Sequence, residues 1–388
     1  MKKIAIVTTH PIQYNAPLFR LLGGSTRIVC KVFYTWEQSG LGFKYDPDFG
    51  RVVEWNIPLL DGYDHTFVRN IAADPGSHHF RGIVNPSLNK EIEDWQPDAI
   101  LIFGWAYDSH LRCLRHFHNK IPVLFRGDST LLDEQPGIKR GLRRLFLRWV
   151  YSHVDVALYV GCNNKDYFRK HGLRETQLVA APHAIDNARF ANPDKEYREQ
   201  AKSWRSALNI ADTDVVLLFA GKLEEKKDPL FLVRLAEKVP DNRLKFIVVG
   251  NGALEGAVQE AARADARFRF LEFQNQQMMP VVYRLGDVFV LPSVGPGETW
   301  GLGANEAMAS GCAVMLSDKV GGAVDLVRED QNGIVFPPRD VETAAALVRR
   351  LLDHREKLGE MKTASRRIVQ DFSYERVVLA IENAVTNV

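Results

Sequence analysis

The fold is constrained most by short runs of consecutive apolar residues that alternate with longer segments of helical pattern. The runs span residues 4–8, 99–103, 123–125, 154–160, 215–220, 246–249, 288–291, 313–316 and 334–336. A strand that is apolar along its whole length is buried on both faces, as in a parallel sheet covered by helices. The sequence therefore predicts an α/β protein.

The length of the chain and one charged segment predict two domains. A chain of 388 residues exceeds what one ordinary hydrophobic core accommodates. Residues 186–213 are rich in charge and contain no strand-like run, so we interpret them as the linker. We expect two doubly wound, Rossmann-like domains over residues 1–190 and 191–371, followed by a C-terminal segment over residues 372–388.

Composition excludes several classes of protein. The formal net charge is +2, which is too small to indicate a nucleic-acid partner. The four cysteines, at positions 30, 113, 162 and 312, lie far apart and outside any metal-ligand spacing, as expected for reduced thiols. The apolar N-terminal run is too short for a signal peptide, and no run approaches the roughly 18 residues of a membrane span. We therefore expect a cytoplasmic protein.

The turn after the first apolar run of the second half carries two lysines that suit a diphosphate. It reads Gly-Lys-Leu-Glu-Glu-Lys-Lys-Asp-Pro over residues 221–229. Gly221 allows a sharp backbone turn, Lys222 and Lys227 can converge on one anionic group, and Pro229 suits the first position of a helix. The alternative interpretation is a solvated charged loop.

A segment rich in glycine and proline, residues 292–311, gives the strongest functional signal. It follows a buried run and stays irregular until a helix begins near Gly301. That helix ends at Gly311, a residue suited to a helix C-terminus. Amides at the start of a helix favour a negative charge or sugar hydroxyls. The amides concerned here belong to Thr299, Trp300, Gly301 and Leu302.

Two glutamates accompany the start of this predicted helix. Glu298 stands just before it, and Glu306 lies two turns further on. Carboxylates directed at a phosphate would repel it, so we interpret them as acceptors for hydroxyl groups, one on a sugar and one on a ribose. The alternative is a charge at the helix N-terminus for Glu298 and an exposed helix position for Glu306. The alanines at 304, 307 and 309 disfavour that alternative because small side chains allow close packing beside a ligand.

Together these motifs resemble the retaining family-4 glycosyltransferases, or glycosyl transferases group 1. The E-x7-E spacing of Glu298 and Glu306 within its glycine-rich frame carries the resemblance, as does the turn 221–227, which is similar to that family's G-R/K-L-x-x-x-K loop. Further similar segments follow at residues 249–252, 291–293, 320–322 and 332–334. The resemblance covers about residues 150–385 and implies the GT-B fold, two Rossmann-like domains that face each other across a cleft.

The resemblance also implies which residues bind a nucleotide-diphosphate sugar. They are Gly221, Lys222, Lys227, Gly250, Glu298, Thr299, Trp300, Gly301, Leu302 and Glu306. The two lysines would bind the diphosphate, Glu298 and the amides after it the transferred sugar, and Glu306 the ribose. Residues 372–375 would begin the last helix, which in this fold returns to the N-terminal domain.

The implied reaction is transfer of a glycosyl group from that donor to an acceptor hydroxyl with retention of configuration. The expected acceptor is a cell-surface glycan or a lipid-linked precursor. Because lysines neutralise the diphosphate, neither a metal ion nor another cofactor is expected. A nucleotide-sugar epimerase or glycosyl phosphorylase of similar fold remains an alternative, as does a catalytically silent donor-binding subunit of a glycan assembly complex.

The N-terminal half departs from the family pattern. Residues 9–15 replace the double-glycine loop that often follows the first strand, and residues 125–129 replace a frequent cleft histidine. The candidates for contacting the reacting sugar from this side are Asp128, with Arg126 beside it, and His10. We interpret His183 as an interdomain structural residue.

Residues 137–149 form a basic helix candidate that carries aromatic side chains. One interpretation is peripheral contact with the inner face of an anionic membrane, where a lipid-linked acceptor would lie. The other is that Leu142, Leu145, Phe146 and Trp149 pack on the sheet while the arginines face water.

Overall fold

The computed structural model describes residues 1–37, 43–46, 51–54, 58–192 and 195–387. The chain divides into two compact units. The first contains the described parts of residues 1–41 and 58–183 together with 373–387, and the second contains residues 184–372 and the strands between residues 42 and 57. Each unit has its own parallel sheet, as the continuous apolar runs predict.

The first unit is built on a seven-stranded sheet of order β5-β2-β1-β6-β7-β8-β9 in which all neighbours pair in parallel. Strands β1 to β9 span Lys2–Thr8, Ile28–Tyr34, Phe43–Asp46, Arg51–Glu54, Asp64–Phe67, Ala99–Phe103, Val123–Arg126, Val156–Tyr159 and Leu178–Ala180. Of these, β3 and β4 form a separate antiparallel pair that belongs to the second unit. Helices α1 to α5 span Ala16–Gly23, Leu88–Trp95, Asp108–Phe117, Ile138–Tyr151 and Cys162–Lys170.

The second unit is built on a six-stranded parallel sheet of order β12-β11-β10-β13-β14-β15. Its strands β10 to β15 span Val215–Ala220, Leu244–Val249, Phe268–Leu271, Val288–Leu291, Ala313–Ser317 and Gly333–Phe336. Helices α6 to α14 span Asn187–Ala191, Lys195–Ala207, Phe231–Lys238, Glu255–Ala264, Met279–Leu285, Leu302–Ser310, Ala323–Leu326, Val341–Asp353 and Arg355–Val369. The central strands are fully buried: Leu217, Leu218 and Phe219 are 0% exposed.

The last helix, α15 (Tyr374–Thr386), belongs to the first unit. Ser373 caps it by accepting a hydrogen bond from the Arg376 amide at 3.4 Å. The hydroxyl of Tyr374 donates to the carbonyl of Tyr14 at 3.0 Å. The Glu382 carboxylate pairs with Arg27 at 3.1 Å. The chain thus ends on the unit in which it began.

The segment interpreted as a linker, residues 186–213, contains helices α6 and α7 and is grouped with the second unit; residues 193–194 lie outside the described part. One local prediction is wrong. Pro229 is not the first residue of a helix, since α8 begins at Phe231. The backbone at Asp228 is left-handed, with φ of 48°, so the helix starts only after this turn.

The basic helix α4 does not bury the apolar residues that were expected to pack on the sheet. Leu142 and Leu145 are each 64% exposed, and Phe146 and Trp149 are 41% and 42% exposed. The helix packs instead through Leu147, Val150 and Tyr151. The exposed residues therefore form an apolar face among arginines. Among the described residues, no helix combines the length and apolar character needed to cross a membrane.

Candidate functional site

Two glycine turns at the carboxyl ends of β10 and β11 pack directly on each other. A Cβ atom on Gly250 would lie 1.9 Å from the carbonyl oxygen of Gly221, so no larger residue fits there without displacing the backbone. The Leu223 amide donates to the Asn251 carbonyl at 2.9 Å. Gly250 also has a φ of 140°, which favours glycine. The structure thus joins two turns that are 29 residues apart in sequence (221 and 250).

The contact between Lys227 and Glu298 lies at the centre of the site. The Lys227 Nζ atom is 2.8 Å from Glu298 Oε2, and the two side chains are only 20% and 12% exposed. The Ser293 hydroxyl donates to the same carboxylate oxygen at 3.3 Å. The Val294 amide donates to the Lys226 carbonyl at 2.8 Å. Two sequence motifs that follow different strands therefore form one charged cluster, with Lys222 at the start of the same turn as Lys227.

Helix α11 begins and ends where the glycines predict. Gly301 is its N-cap, with φ of 90°, and Gly311 is its C-cap, with φ of 95°. A Cβ atom on Gly301 would lie 2.7 Å from Val320 Cγ1, so the backbone packs tightly at this point. The first residue of α11 is Leu302, so of the four predicted amides only that of Leu302 belongs to the helix, and residues 299–301 precede it. Amides at the start of a helix have no partner four residues earlier within the helix. They are therefore suited to bind an anion or hydroxyl at this edge of the sheet.

A second pair of glycines, Gly321 and Gly322, forms hydrogen bonds with the loop before α11. The amides of Gly321 and Gly322 donate to the carbonyls of Glu298 and Trp300, each at 2.9 Å. A Cβ atom on Gly321 would lie 1.8 Å from the Thr299 carbonyl oxygen. This explains why the 320–322 motif accompanies the glutamate motif in sequence: it fixes the backbone that carries Glu298.

The side chain of Trp300 has a structural role. It is 3% exposed, and its indole Nε1 donates to Asn305 Oδ1 at 2.8 Å. This hydrogen bond ties the loop to the first turns of α11. A contact between Trp300 and a donor would therefore use the backbone amide and not the side chain.

Glu306 is buried, contrary to the alternative in which it is an exposed helix residue. It is 3% exposed, and Oε2 accepts a hydrogen bond from the Tyr283 hydroxyl at 2.8 Å. Tyr283 lies on α10 and is 2% exposed. Sequence reasoning did not find this tyrosine, because an aromatic residue at helical spacing between apolar neighbours is typical of a core position.

The first unit places its candidates at the carboxyl ends of β1 and β7. His10 Nδ1 lies 3.0 Å from the Thr9 hydroxyl, and the His10 ring packs edge-on against Trp36 with centroids 5.2 Å apart. Asp128 Oδ2 is 3.8 Å from His183 Nε2. Burial lowers the pKa of His183 and so favours its neutral imidazole.

Arg126 forms hydrogen bonds with the backbone of residues 181–182. Its guanidinium donates to the carbonyls of Ala181 at 2.6 Å and Pro182 at 3.0 Å. Burial lowers the pKa of Arg126 to about 10, so it stays charged at neutral pH. Because these hydrogen bonds join the end of β7 to the segment after β9, Arg126 serves the structure, and Asp128 is the more accessible candidate of the two.

Comparison with known proteins identifies the family that part of the chain matches. Residues 200–368, which contain the Lys227 and Glu298 motifs, match the family of glycosyl transferases group 1. A D-inositol 3-phosphate glycosyltransferase of Geodermatophilus obscurus is 32% identical over 231 residues, 56% of this chain and 48% of that protein. One from Nocardia farcinica is 27% identical over 393 residues, 92% of this chain and 83% of that protein. The chain spans about half the length of the first curated relatives it matches.

Solved structures share the fold along the whole chain. Anabaena HepE in complex with UDP and glucose superposes with a TM-score of 0.71 at 16% identity, covering 100% of both chains. Sucrose-phosphate synthase from Thermosynechococcus elongatus gives a TM-score of 0.71 at 18% identity, covering 100% of this chain and 99% of the other. The prediction of a GT-B fold with two Rossmann-like domains is confirmed.

Proposed function

We propose, from the membership of residues 200–368 in the glycosyl transferases group 1 family, that this protein transfers a sugar from a nucleotide-diphosphate donor to an acceptor hydroxyl with retention of configuration. The single observation that carries the proposal is the contact of Lys227 with Glu298, 2.8 Å apart. It joins a cation suited to phosphate and a carboxylate suited to sugar hydroxyls beside the start of α11.

In this proposal the ion pair opens when the donor binds. Lys227 leaves Glu298 for the diphosphate, with Lys222 as the second cation and the turns at Gly221 and Gly250 as the floor of the site. Glu298 then accepts hydrogen bonds from the sugar. Its carboxylate already has an accepting geometry, since Ser293 and Lys227 both donate to it.

The rest of the donor would lie along α11. The amides of residues 299–302 stabilise negative charge that develops on the leaving diphosphate, and preorganised donors of this kind supply a large part of many rate enhancements. Glu306 binds the ribose hydroxyls. The hydrogen bond from Tyr283 at 2.8 Å orients the Glu306 carboxylate, so Tyr283 is a positioning residue. No metal ion or other cofactor is required, because lysines and amides meet the diphosphate charge.

On the first unit, His10 and Asp128 are the proposed catalytic candidates for the acceptor side. The acceptor we propose is a glycan or a lipid-linked precursor at the cytoplasmic face of a membrane. The exposed apolar face of α4 supports this choice: Ile138 is 86% exposed and Leu142 and Leu145 are 64% exposed, and the helix contains no acidic residue among its arginines and lysine. A basic helix with exposed apolar side chains suits an anionic lipid surface.

Product analysis tests the reaction against its alternatives. UDP-glucose is a first donor, since HepE binds it, and inositol phosphate and extracted lipids are first acceptors. A transferase yields a new glycoside only when acceptor is present. If transfer proceeds with retention, the NMR coupling of the anomeric proton in the product shows the same anomeric configuration as in the donor. A new sugar epimer from donor alone indicates an epimerase. Donor binding without any turnover indicates a silent subunit.

A further inference from the structure

Two histidines and an aspartate meet on the first unit, in the segment that follows β5. His78 Nε2 lies 3.1 Å from Asp74 Oδ2, and His79 Nε2 lies 3.3 Å from the same oxygen. The centroids of the two imidazole rings are 4.6 Å apart. All three side chains reach solvent, with exposures of 74%, 64% and 37% for Asp74, His78 and His79. None of them takes part in the proposed transfer reaction.

The type and spacing of these groups suit a transition-metal ion. One ligand atom from each residue lies within 4.8 Å of the other two. Two ligands of a tetrahedral zinc ion with bonds of about 2.0–2.1 Å are roughly 3.3 Å apart, close to the two separations from Asp74. Imidazole nitrogen and carboxylate oxygen are both ordinary zinc ligands. In the part of the chain that the structure describes, this is the one such group of three.

Hydrogen bonds fix the backbone around the three side chains. The Gly76 amide donates to the Gly82 carbonyl at 3.1 Å, and the Asn70 side-chain amide donates to the same carbonyl at 2.9 Å. Asn70 Oδ1 accepts from the Val84 amide at 2.9 Å. These hydrogen bonds connect residues 70 and 76 to residues 82 and 84 before any ion binds, which lowers the entropic cost of binding.

Gly76 leaves the space that the ring of His78 occupies. A Cβ atom on Gly76 would lie 2.4 Å from His78 Nδ1. Substitution with alanine would therefore displace the ring without removing a ligand.

The segment lies at the edge of the sheet where ligands of parallel α/β sheets bind. It starts directly after β5, where the Val68 amide donates to the Tyr34 carbonyl at 2.8 Å. At its other end the Asn85 side chain donates to the carbonyls of Thr35 at 2.9 Å and Val68 at 2.8 Å. These are residues at the carboxyl ends of β2 and β5.

We propose that Asp74, His78 and His79 form a zinc-binding site. Three protein ligands leave a fourth position for water. The ion joins Asp74 to His78 and His79 at the carboxyl edge of the first sheet. The proposed donor residues all belong to the second unit, so the zinc site stands or falls independently of the transfer reaction.

Calorimetric titration with Zn²⁺ tests the site on the full-length protein, with any histidine tag removed because such a tag binds the same ions. We expect one equivalent to bind, and Co²⁺ in its place to give a visible absorption band of low-symmetry coordination. His78→Ala and His79→Ala should each weaken zinc binding by more than the roughly 10- to 100-fold typical of losing an outer-shell partner. Gly76→Ala should weaken binding as well.

His116→Ala is the matched control, because His116 Nε2 also lies beside a carboxylate, 2.6 Å from Glu93 Oε1, but His116 belongs to no group of three possible ligands among the described residues. It should bind zinc like the wild type. Because His78 is exposed and His79 is half-buried at the surface, their variants should keep the wild-type circular dichroism spectrum. Absence of stoichiometric binding, or equal zinc affinity in the wild type, His78→Ala and His79→Ala, would overturn the proposal.

Discussion

Lys227 and Glu298 hold opposite charges in a place that water reaches only partly. With exposures of 20% and 12%, each depends on the other for much of its solvation, and removal of one partner of a buried pair is costly. In the proposed complex, a donor would supply a diphosphate to Lys227 and hydroxyls to Glu298 and so replace both halves of the pair at once. Under that proposal the two side chains partner each other until the donor binds.

The two glutamates are expected to affect different kinetic constants. Glu306 is assigned to the ribose, which does not react, so its hydrogen bonds should be similar in the ground and transition states. Glu306→Gln should therefore mainly raise donor KM. Glu298 is assigned to the sugar ring on which positive charge develops, so Glu298→Gln should mainly lower kcat. Each effect should be about ten- to a hundredfold, from roughly 1.5–3 kcal/mol for a hydrogen bond to a charged group.

Steady-state kinetics with varied donor measure both effects. Glutamine keeps the shape of each side chain and can still accept the hydrogen bond from Tyr283, so Glu306→Gln should fold. If Glu298→Gln changed KM alone while Glu306→Gln changed kcat alone, the two assignments would be exchanged.

For single residues, the sequence predicts functional side chains that stand in turns directly after buried strands. It does not predict functional side chains elsewhere. Lys227 and Glu298 could be predicted, because both stand in unusual turns after buried strands. Their mutual contact could not, since it depends on how two turns 71 residues apart meet. Tyr283 and Ser293 were not assigned, because a buried tyrosine and serine have no pattern that separates a ligand-orienting role from core packing.

At the scale of elements, the site is a set of turns pressed together by glycines. Gly250 against Gly221 and Gly321 against Thr299 each leave no room for a Cβ atom, with distances of 1.9 Å and 1.8 Å. The motifs of this half of the chain are therefore coupled: each glycine turn supports a neighbouring turn that carries a functional group.

Gly250→Ala tests this coupling. The new Cβ would overlap the Gly221 carbonyl, and a φ of 140° is unfavourable for alanine, so the turn must shift and donor affinity should fall at least tenfold. Gly256→Ala in α9 is the matched control, because a Cβ atom there meets nothing within 4 Å and alanine favours a helix by about 1 kcal/mol. Thermal melting and donor titration measure both variants; equal donor affinity in the two would disprove the coupling.

Helix α4 gives a second prediction at this scale. If its exposed apolar face contacts anionic lipid, the double substitution of Leu142 and Leu145 with serine should reduce co-sedimentation with phosphatidylglycerol vesicles several-fold, because about 64% of each side chain is available to the lipid. Substitution of Leu379, which is 52% exposed on α15, with serine is the control and should have no effect. If the wild-type protein did not co-sediment with anionic vesicles, the membrane contact would be removed from the proposal.

Edge strands explain most of what the sequence failed to predict about the elements. Strands β5 and β12 end their sheets, and their sequences mix polar with apolar residues because one side is open to solvent. Strand β9, at the other end of the first sheet, is apolar but only three residues long. Strand β2 lies inside the sheet, but Lys31 interrupts its apolar run. The fully buried central strands, in contrast, were all predicted, since continuous apolar runs are their direct signature.

For the whole molecule, two α/β units with parallel sheets follow from periodicity and length, and the comparisons confirm the fold. The sugar, the base and the acceptor do not follow, because they depend on a few side-chain contacts that vary within one fold.

Asp-x-Asp triplets, whose carboxylates could bind a metal ion, occur at residues 46–48 and 212–214. Asp214 precedes β10 at its amino end, where it accepts from the Ala211 amide at 2.8 Å, away from the turn that carries Lys227.

Metal independence is therefore a prediction about the lysines. Glycosyl transfer should proceed at an unchanged rate in EDTA, because in the proposed complex Lys222, Lys227 and the amides of residues 299–302 supply the positive charge that Mg²⁺ supplies elsewhere. Rates are compared in EDTA, in EDTA with excess Mg²⁺ and in untreated enzyme, well below the melting temperature. Loss of activity in EDTA and its recovery with Mg²⁺ or Mn²⁺ would contradict the prediction.

The central claim, that the second unit binds a nucleotide-diphosphate sugar through Lys227, is tested most directly by calorimetric titration with a panel of UDP-, GDP- and ADP-sugars. We predict that at least one binds the wild type with one site per chain. Lys227→Ala should weaken that binding about ten- to a hundredfold, while Lys202→Ala, on the exposed side of α7, leaves it unchanged. A folded Lys227→Ala protein with wild-type affinity, or a wild type that binds no member of the panel, would contradict the claim.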